Sequence, residues 1–201
     1  MVLPTRPIHL DSLLAAALVS RAMATNAPDP YSEQEKLPLR KEGAGPDWVW
    51  CASQVFFDKT NQQSVAMVRP YQMMDWAERF GKVWTGKRNV IPQGTGPMKS
   101  EQIFLPIADV TNVQAWGVGD IDLVRQLLSE LTGLGKVTRN GWGRIDQIDV
   151  VPDDLAEINW RRRSLPASMS HLALPQHVEG TGNVRPPYFQ RRNWQPLLEY
   201  I

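Results

Sequence analysis

The chain has 201 residues, 42% of them apolar, and eight tryptophans, enough to bury the core of one domain. Its 22 Lys and Arg against 21 Asp and Glu leave a formal net charge of +1, which excludes a global pull toward nucleic acid or an anionic membrane and makes any such attraction local. Cys51 is the single cysteine, which excludes an internal disulfide and a multi-cysteine zinc site and fits a reducing cytoplasm.

The stretch "LLAAALV" (13–19) imitates the apolar run of a secretory signal, but Asp11 just ahead and Arg21 just behind argue against it. It is also far shorter than the roughly 20 residues a bilayer needs, so no membrane role is expected. The pattern predicts an amphipathic helix with Asp11 as N-cap and Leu10, Leu13, Leu14, Ala17 and Leu18 on its core face. Residues 24–47 hold four prolines and two glycines and read as a surface loop. "DWVWCASQVFF" (47–57) and "SVAMVRPY" (64–71) follow as two strands of a hairpin, with "DKTNQQ" as the turn.

Residues 76–100 form a basic, glycine-rich insertion, whose run from Arg79 to Lys99 holds five cations (Arg79, Lys82, Lys87, Arg88 and Lys99) and no acid, while Phe80, Trp84 and Val90 interleave with them. Aromatic residues among cations suit a single strand of nucleic acid with accessible bases. Strand character resumes from Glu101 to Gly119. A second helix is expected from Asp120, with Ile121, Val124, Leu128 and Leu131 at helical spacing and Gly133 as its stop.

"GLGKVTRNGWGRI" (133–145) comes next, with four glycines, three cations and no acid. It is no P-loop and no dinucleotide fingerprint, because here a helix leads into the glycines and a strand is expected to leave them, "RIDQIDVV" (144–151). "GTGPMKS" also misses the P-loop pattern, with Met98 where the last glycine belongs. A glycine loop at this junction still lets backbone N–H groups approach phosphate closely, with Lys136, Arg139 and Arg144 supplying charge and Trp142 a stacking face. The tail from Pro166 to Ile201 reads as an irregular arm docked by Tyr188, Phe189 and Trp194 onto a domain spanning 1–165.

The element order is α+β and fits a ferredoxin-like, RRM-like split βαβ layout. The glycine loop resembles that of the RAMP superfamily of CRISPR proteins, and "PTRPIHLDSLLAAAL" (4–18) is similar to the start of the first helix in Cas-five-like, backbone-capping subunits of type IV CRISPR effector complexes. The resemblance implies a non-catalytic subunit that grips the repeat-derived 5′ handle of the crRNA. The handle-binding loop would be Gly135 to Gly143, with Gly135, Lys136, Arg139, Asn140, Gly141, Trp142, Gly143 and neighbouring Arg144 as contacts. The basic insertion, with Lys82, Lys87, Arg88 and Lys99, would be a thumb. Implied partners are crRNA and the backbone and large subunits of the complex, with target DNA met only indirectly.

Family members usually carry a full strand before this first motif, so the start is expected to be truncated or rebuilt from Val2 to Pro7. Some RAMP proteins are metal-independent endoribonucleases, and His9 is the candidate general base for that alternative. His171 and His177 lack metal-ligand spacing, and neither metal nor cofactor is expected.

Overall fold

The computed structural model describes residues 1–4, 6–69, 101–138, 141–188, 190 and 193–201. The expected thumb, with Lys82, Lys87, Arg88 and Lys99, lies outside them, as do Arg139, Asn140 and Phe189.

Alanine and leucine, the strongest helix formers, dominate helix α1 (Leu10–Ala24). It opens on His9, whose extended backbone (φ −104°, ψ 149°) makes it the N-cap, with no side-chain capping bond. Asp11 therefore lies inside the helix and is wholly buried with Leu10, Leu14, Ala15 and Ala17. At the other end Thr25 Oγ1 donates to the carbonyls of Arg21 and Ala22, and Asn26 turns the chain at φ 54°.

Within 24–47 the chain is more ordered than a surface loop. A 3₁₀ turn at Pro30–Glu35 is capped by the Asp29 carboxylate, Leu37 and Leu39 enter the core, and β1 (Lys41–Ala44) pairs antiparallel with β2 (Asp47–Trp50). The expected hairpin around "DKTNQQ" does not form. β3 (Phe56–Arg69) continues through that polar stretch and pairs antiparallel with β4 (Glu101–Gln114). The six residues are absorbed by register shifts between Asp58 and Lys59 and between Thr60 and Gln63, with Asn61 at φ 48° and its amide donating to Asp109. Turn-forming residues thus make a bulge in a long ribbon rather than a reversal.

The N-terminal residues pair with this ribbon: Leu3 N–H donates to Pro106 O and Ala108 N–H to Met1 O, and Val2 is fully buried. Val2 also bridges Lys136, so it lies between β4 and the glycine loop. This pairing is antiparallel, whereas the two strands of a βαβ crossover run parallel. Among the described residues the ladders form three small antiparallel sheets, of two, two and three strands. The architecture is α+β.

α2 (Ile121–Leu128) starts where the sequence predicts, with the Asp120 carboxylate accepting from the N–H groups of Asp122 and Leu123, both at 3.0 Å. It buries Val124 and Leu127 against α1, Leu39, Trp50 and Ala52. The expected strand at 144–151 is a correction: apart from one bridge at Arg144 the segment has no ladder. Asp146 and Asp149 face solvent, and Val150 O is taken by the Arg125 guanidinium rather than by a neighbouring strand.

The tail is also a correction, since it is not irregular. After the single turn α3 (Ala156–Asn159), the strands β5 (Leu165–Pro166), β6 (His177–Gly182) and β7 (Gln195–Tyr200) form a sheet with β7 central. That sheet covers a second core of Val49, Cys51, Trp160, Leu165, Met169, Val184 and Leu197. Tyr188 docks the segment as expected, and the Trp194 ring lies under the Arg6 guanidinium at 5.0 Å. Among the described residues no helix is long and apolar enough to cross a membrane.

Candidate nucleic-acid interface

The glycine loop is pinched at its neck. Leu134 N–H donates to Gly143 O at 2.8 Å, Ile145 N–H to Thr132 O at 3.2 Å, and Gly133 bridges Arg144. Inside the neck Gly135 (φ 95°), Val137 (φ 61°), Gly141 (φ 85°) and Gly143 (φ 68°) are left-handed. A left-handed residue next to a right-handed one turns successive peptide N–H groups toward one side, the arrangement of anion-binding nests. A β-branched valine in that region is strained, which marks the loop as held by its surroundings.

Lys136 and Arg144 are exposed, Gly141 is exposed, and Gly135, Trp142 and Gly143 are half-buried. These six of the expected loop residues therefore sit together in one closed excursion. A cleft of about 380 Å³ lies beside it, between Ser129–Thr132 and Arg144–Ile148. Arg139 and Asn140 belong to the same excursion by sequence but lie outside the described residues.

A charged network that sequence reasoning missed ties the N-terminal helix to the C-terminal sheet. Arg163 and Asp11 are both fully buried and pair at 3.2 Å. The Arg163 guanidinium also donates to the carbonyls of Trp50, Ala52 and Val184 and to the Tyr188 hydroxyl, while its Nε donates to Ser164 O. The Tyr188 hydroxyl donates in turn to the Asp11 carboxylate, at 2.9 Å from each oxygen. Burial pushes the Asp11 carboxyl up, with Arg163, Tyr188 and Ser12 pulling the other way. The available signal was Asp11 itself: an acid on the apolar stripe of a helix needs a buried partner. "WRRRSLP" offers three arginines, and nothing in the sequence selects the third.

His9 belongs to this interior. Its ring stacks on Tyr188 with centroids 4.8 Å apart, and its Nε2 accepts from Ser164 N–H at 3.3 Å. Burial, then the Arg163 charge, holds its pKa well below the usual histidine value, so the folded ring is neutral. An unfolded His9 takes up a proton below about pH 6.5. The unfolded state then binds more protons than the folded one, so this group's contribution is present above that pH and is lost as pH falls. Urea denaturation of the wild type is expected to show stability declining from pH 7.5 to 5.5, and His9→Gln a shallower decline, by up to about 1.4 kcal/mol per pH unit. Parallel pH profiles for the two would contradict a buried neutral His9.

Among the described residues no group of three His, Cys, Asp or Glu side chains gathers to hold a metal ion. Cys51 is buried, and burial pushes its thiol up, away from the reactive thiolate.

The chain falls in the CRISPR type IV associated class of proteins: a family model of that class matches residues 1–200. The family is described as CRISPR type IV associated protein Csf3, and this chain belongs to it. None of the curated proteins is similar enough to match.

Proposed function

We propose that this chain is a non-catalytic RNA-binding subunit of a type IV CRISPR ribonucleoprotein, of the Cas-five-like RAMP kind. It grips the 5′ handle of the crRNA with the loop Gly135–Gly143 and Arg144 and caps the filament of backbone subunits. The observation that carries this reading is the acid-free glycine loop, pinched at its neck, with the Lys136 and Arg144 side chains exposed beside a cleft. Membership of the Csf3 family supports its placement in a type IV system. The basic insertion 76–100 acts as the thumb, the backbone and large subunits are the protein partners, and target DNA is reached through guide pairing. The site of action is the cytoplasm.

Lys136→Ala with Arg139→Ala is expected to weaken RNA binding while the melting transition stays cooperative. Each phosphate that the protein no longer neutralises shallows the slope of log K against log salt by about 0.7 for a single strand. An unchanged slope contradicts direct binding by the loop.

The geometry of His9 weighs against the nuclease alternative, because a general base must reach the ribose 2′-OH and this ring is buried with Nε2 already accepting a hydrogen bond. The purified chain is expected to leave its own repeat RNA uncut in EDTA. Specific cleavage that disappears in His9→Ala would replace the subunit reading by that of a processing endoribonuclease.

A further inference from the structure

A second cationic cluster lies away from the glycine loop in sequence, on the hairpin β1–β2 and the segment before β7. The two strands place Lys41 opposite Trp50 and Gly43 opposite Trp48. Lys41 Nζ lies 4.3 Å from the ring centroid of Trp48 and 4.7 Å from that of Trp50, and the two indoles meet edge to face at 5.1 Å. Arg185, brought in by the C-terminal segment, puts its guanidinium carbon 4.3 Å from the same Trp48 ring. Among the described residues neither cation forms an ion pair with a carboxylate. Two like charges held on one indole without a counter-ion make a ready site for an anion.

Beside Trp48 and Arg185 is a cleft of about 230 Å³ bordered by these two residues and by Glu35, Asn183, Asn193 and Gln195. Asn183 is more than nine-tenths buried, and its orientation is fixed because Nδ2 donates to the carbonyls of Pro187, Tyr188 and Gln190 at 3.1, 3.1 and 2.9 Å. Among the described residues its buried Oδ1 has no hydrogen-bond partner. A buried acceptor without a donor is costly, and it calls for a group that brings one.

Resting on the RNA-binding reading above, we infer that Trp48, Arg185 and Asn183 bind one nucleotide of single-stranded RNA at this cleft, its phosphate on Arg185, with Lys41 on the same indole adding positive charge for the strand, and a base amino group or ribose hydroxyl on Asn183 Oδ1. A nucleotide carries both the anion and the donor. An acidic protein side chain would satisfy the cations but bring only a further acceptor to Asn183, whereas the amino and hydroxyl groups of a nucleotide can donate to Asn183 and to Glu35 at the rim. Arginine and tryptophan beside amide side chains also match how unstacked bases are held and their edges read.

The test uses the purified full chain and a fluorescein-labelled RNA of its own repeat sequence, followed by anisotropy across a salt series. Lys41→Gln with Arg185→Gln is expected to weaken binding and shallow the salt slope by about 0.7 for each phosphate left without its cation. Ultraviolet crosslinking of the wild type, which does not depend on the variant folding, is expected to label the peptide containing Trp48. An unchanged slope and an unlabelled Trp48 peptide, with the glycine-loop variant still weakened, overturns this second RNA site and leaves the RNA reading standing. Wild-type chain that binds no RNA overturns both. A double variant that keeps RNA but loses a co-purified protein subunit assigns the patch to an acidic protein segment and overturns the inference.

Discussion

Arg163→Met is expected to destabilise the protein by about 3–5 kcal/mol, the usual cost of removing one partner from a buried ion pair. The substitution strands the Asp11 carboxylate in an interior where only Tyr188 and Ser12 remain to bond it, and leaves the Trp50, Ala52 and Val184 carbonyls without their donor. Lysine is no substitute, since a single ammonium lacks the planar fork that reaches these acceptors together. Adding Asp11→Leu to Arg163→Met is expected to restore part of the loss, because the buried charge is gone, but not all of it, because the carbonyls remain unpaired. Chemical denaturation of the two single variants and the double variant gives the coupling. A loss below about 1 kcal/mol for Arg163→Met would mean that this arginine is not the buried tie described.

The second large effect belongs to the neck of the glycine loop. A Cβ on Gly143, at φ 68°, would lie 2.0 Å from Leu134 O, across the pair of residues that closes the neck. A Cβ on Gly141, at φ 85°, would meet nothing within 4 Å among the described residues. A left-handed backbone alone costs an L-residue about 1–2 kcal/mol. Gly141→Ala is expected to stay within that range, whereas Gly143→Ala exceeds it and opens the neck. RNA affinity is expected to follow the same order, with Gly143→Ala losing far more than Gly141→Ala. Equal effects of the two alanines would show that the neck does not shape the binding surface.

What could be read from the sequence was local, and what could not was decided at long range. Asp120 caps α2 as its position implies, because that cap needs only the next three residues. Asp11, in an equally suggestive place, does not cap α1, because its partner Arg163 is 152 residues away. "DKTNQQ" has turn composition, yet Asp109 on β4 and the long pairing partner keep β3 running through it. β6 and β7 were illegible for a different reason: "HVEGTG" and "QPLLEY" carry glycines and a proline, and they become strands only where Gly180 faces Leu197 and Leu165 faces Leu198. In the candidate site, the glycine loop and its exposed cations were legible from composition. The N-terminal residues beneath it, where a Cβ on Gly135 would meet Val2 O at 2.7 Å, were not.

The central claim, that this chain holds guide RNA through its glycine loop, is tested most directly by co-expressing it with its genomic neighbours, purifying the assembly through this chain and sequencing the RNA it carries. The predicted result is a short RNA with a defined repeat-derived 5′ end, depleted when Lys136, Arg139 and Arg144 are all changed to alanine. An assembly that forms without RNA, or one that keeps its RNA undiminished in that triple variant, would contradict it.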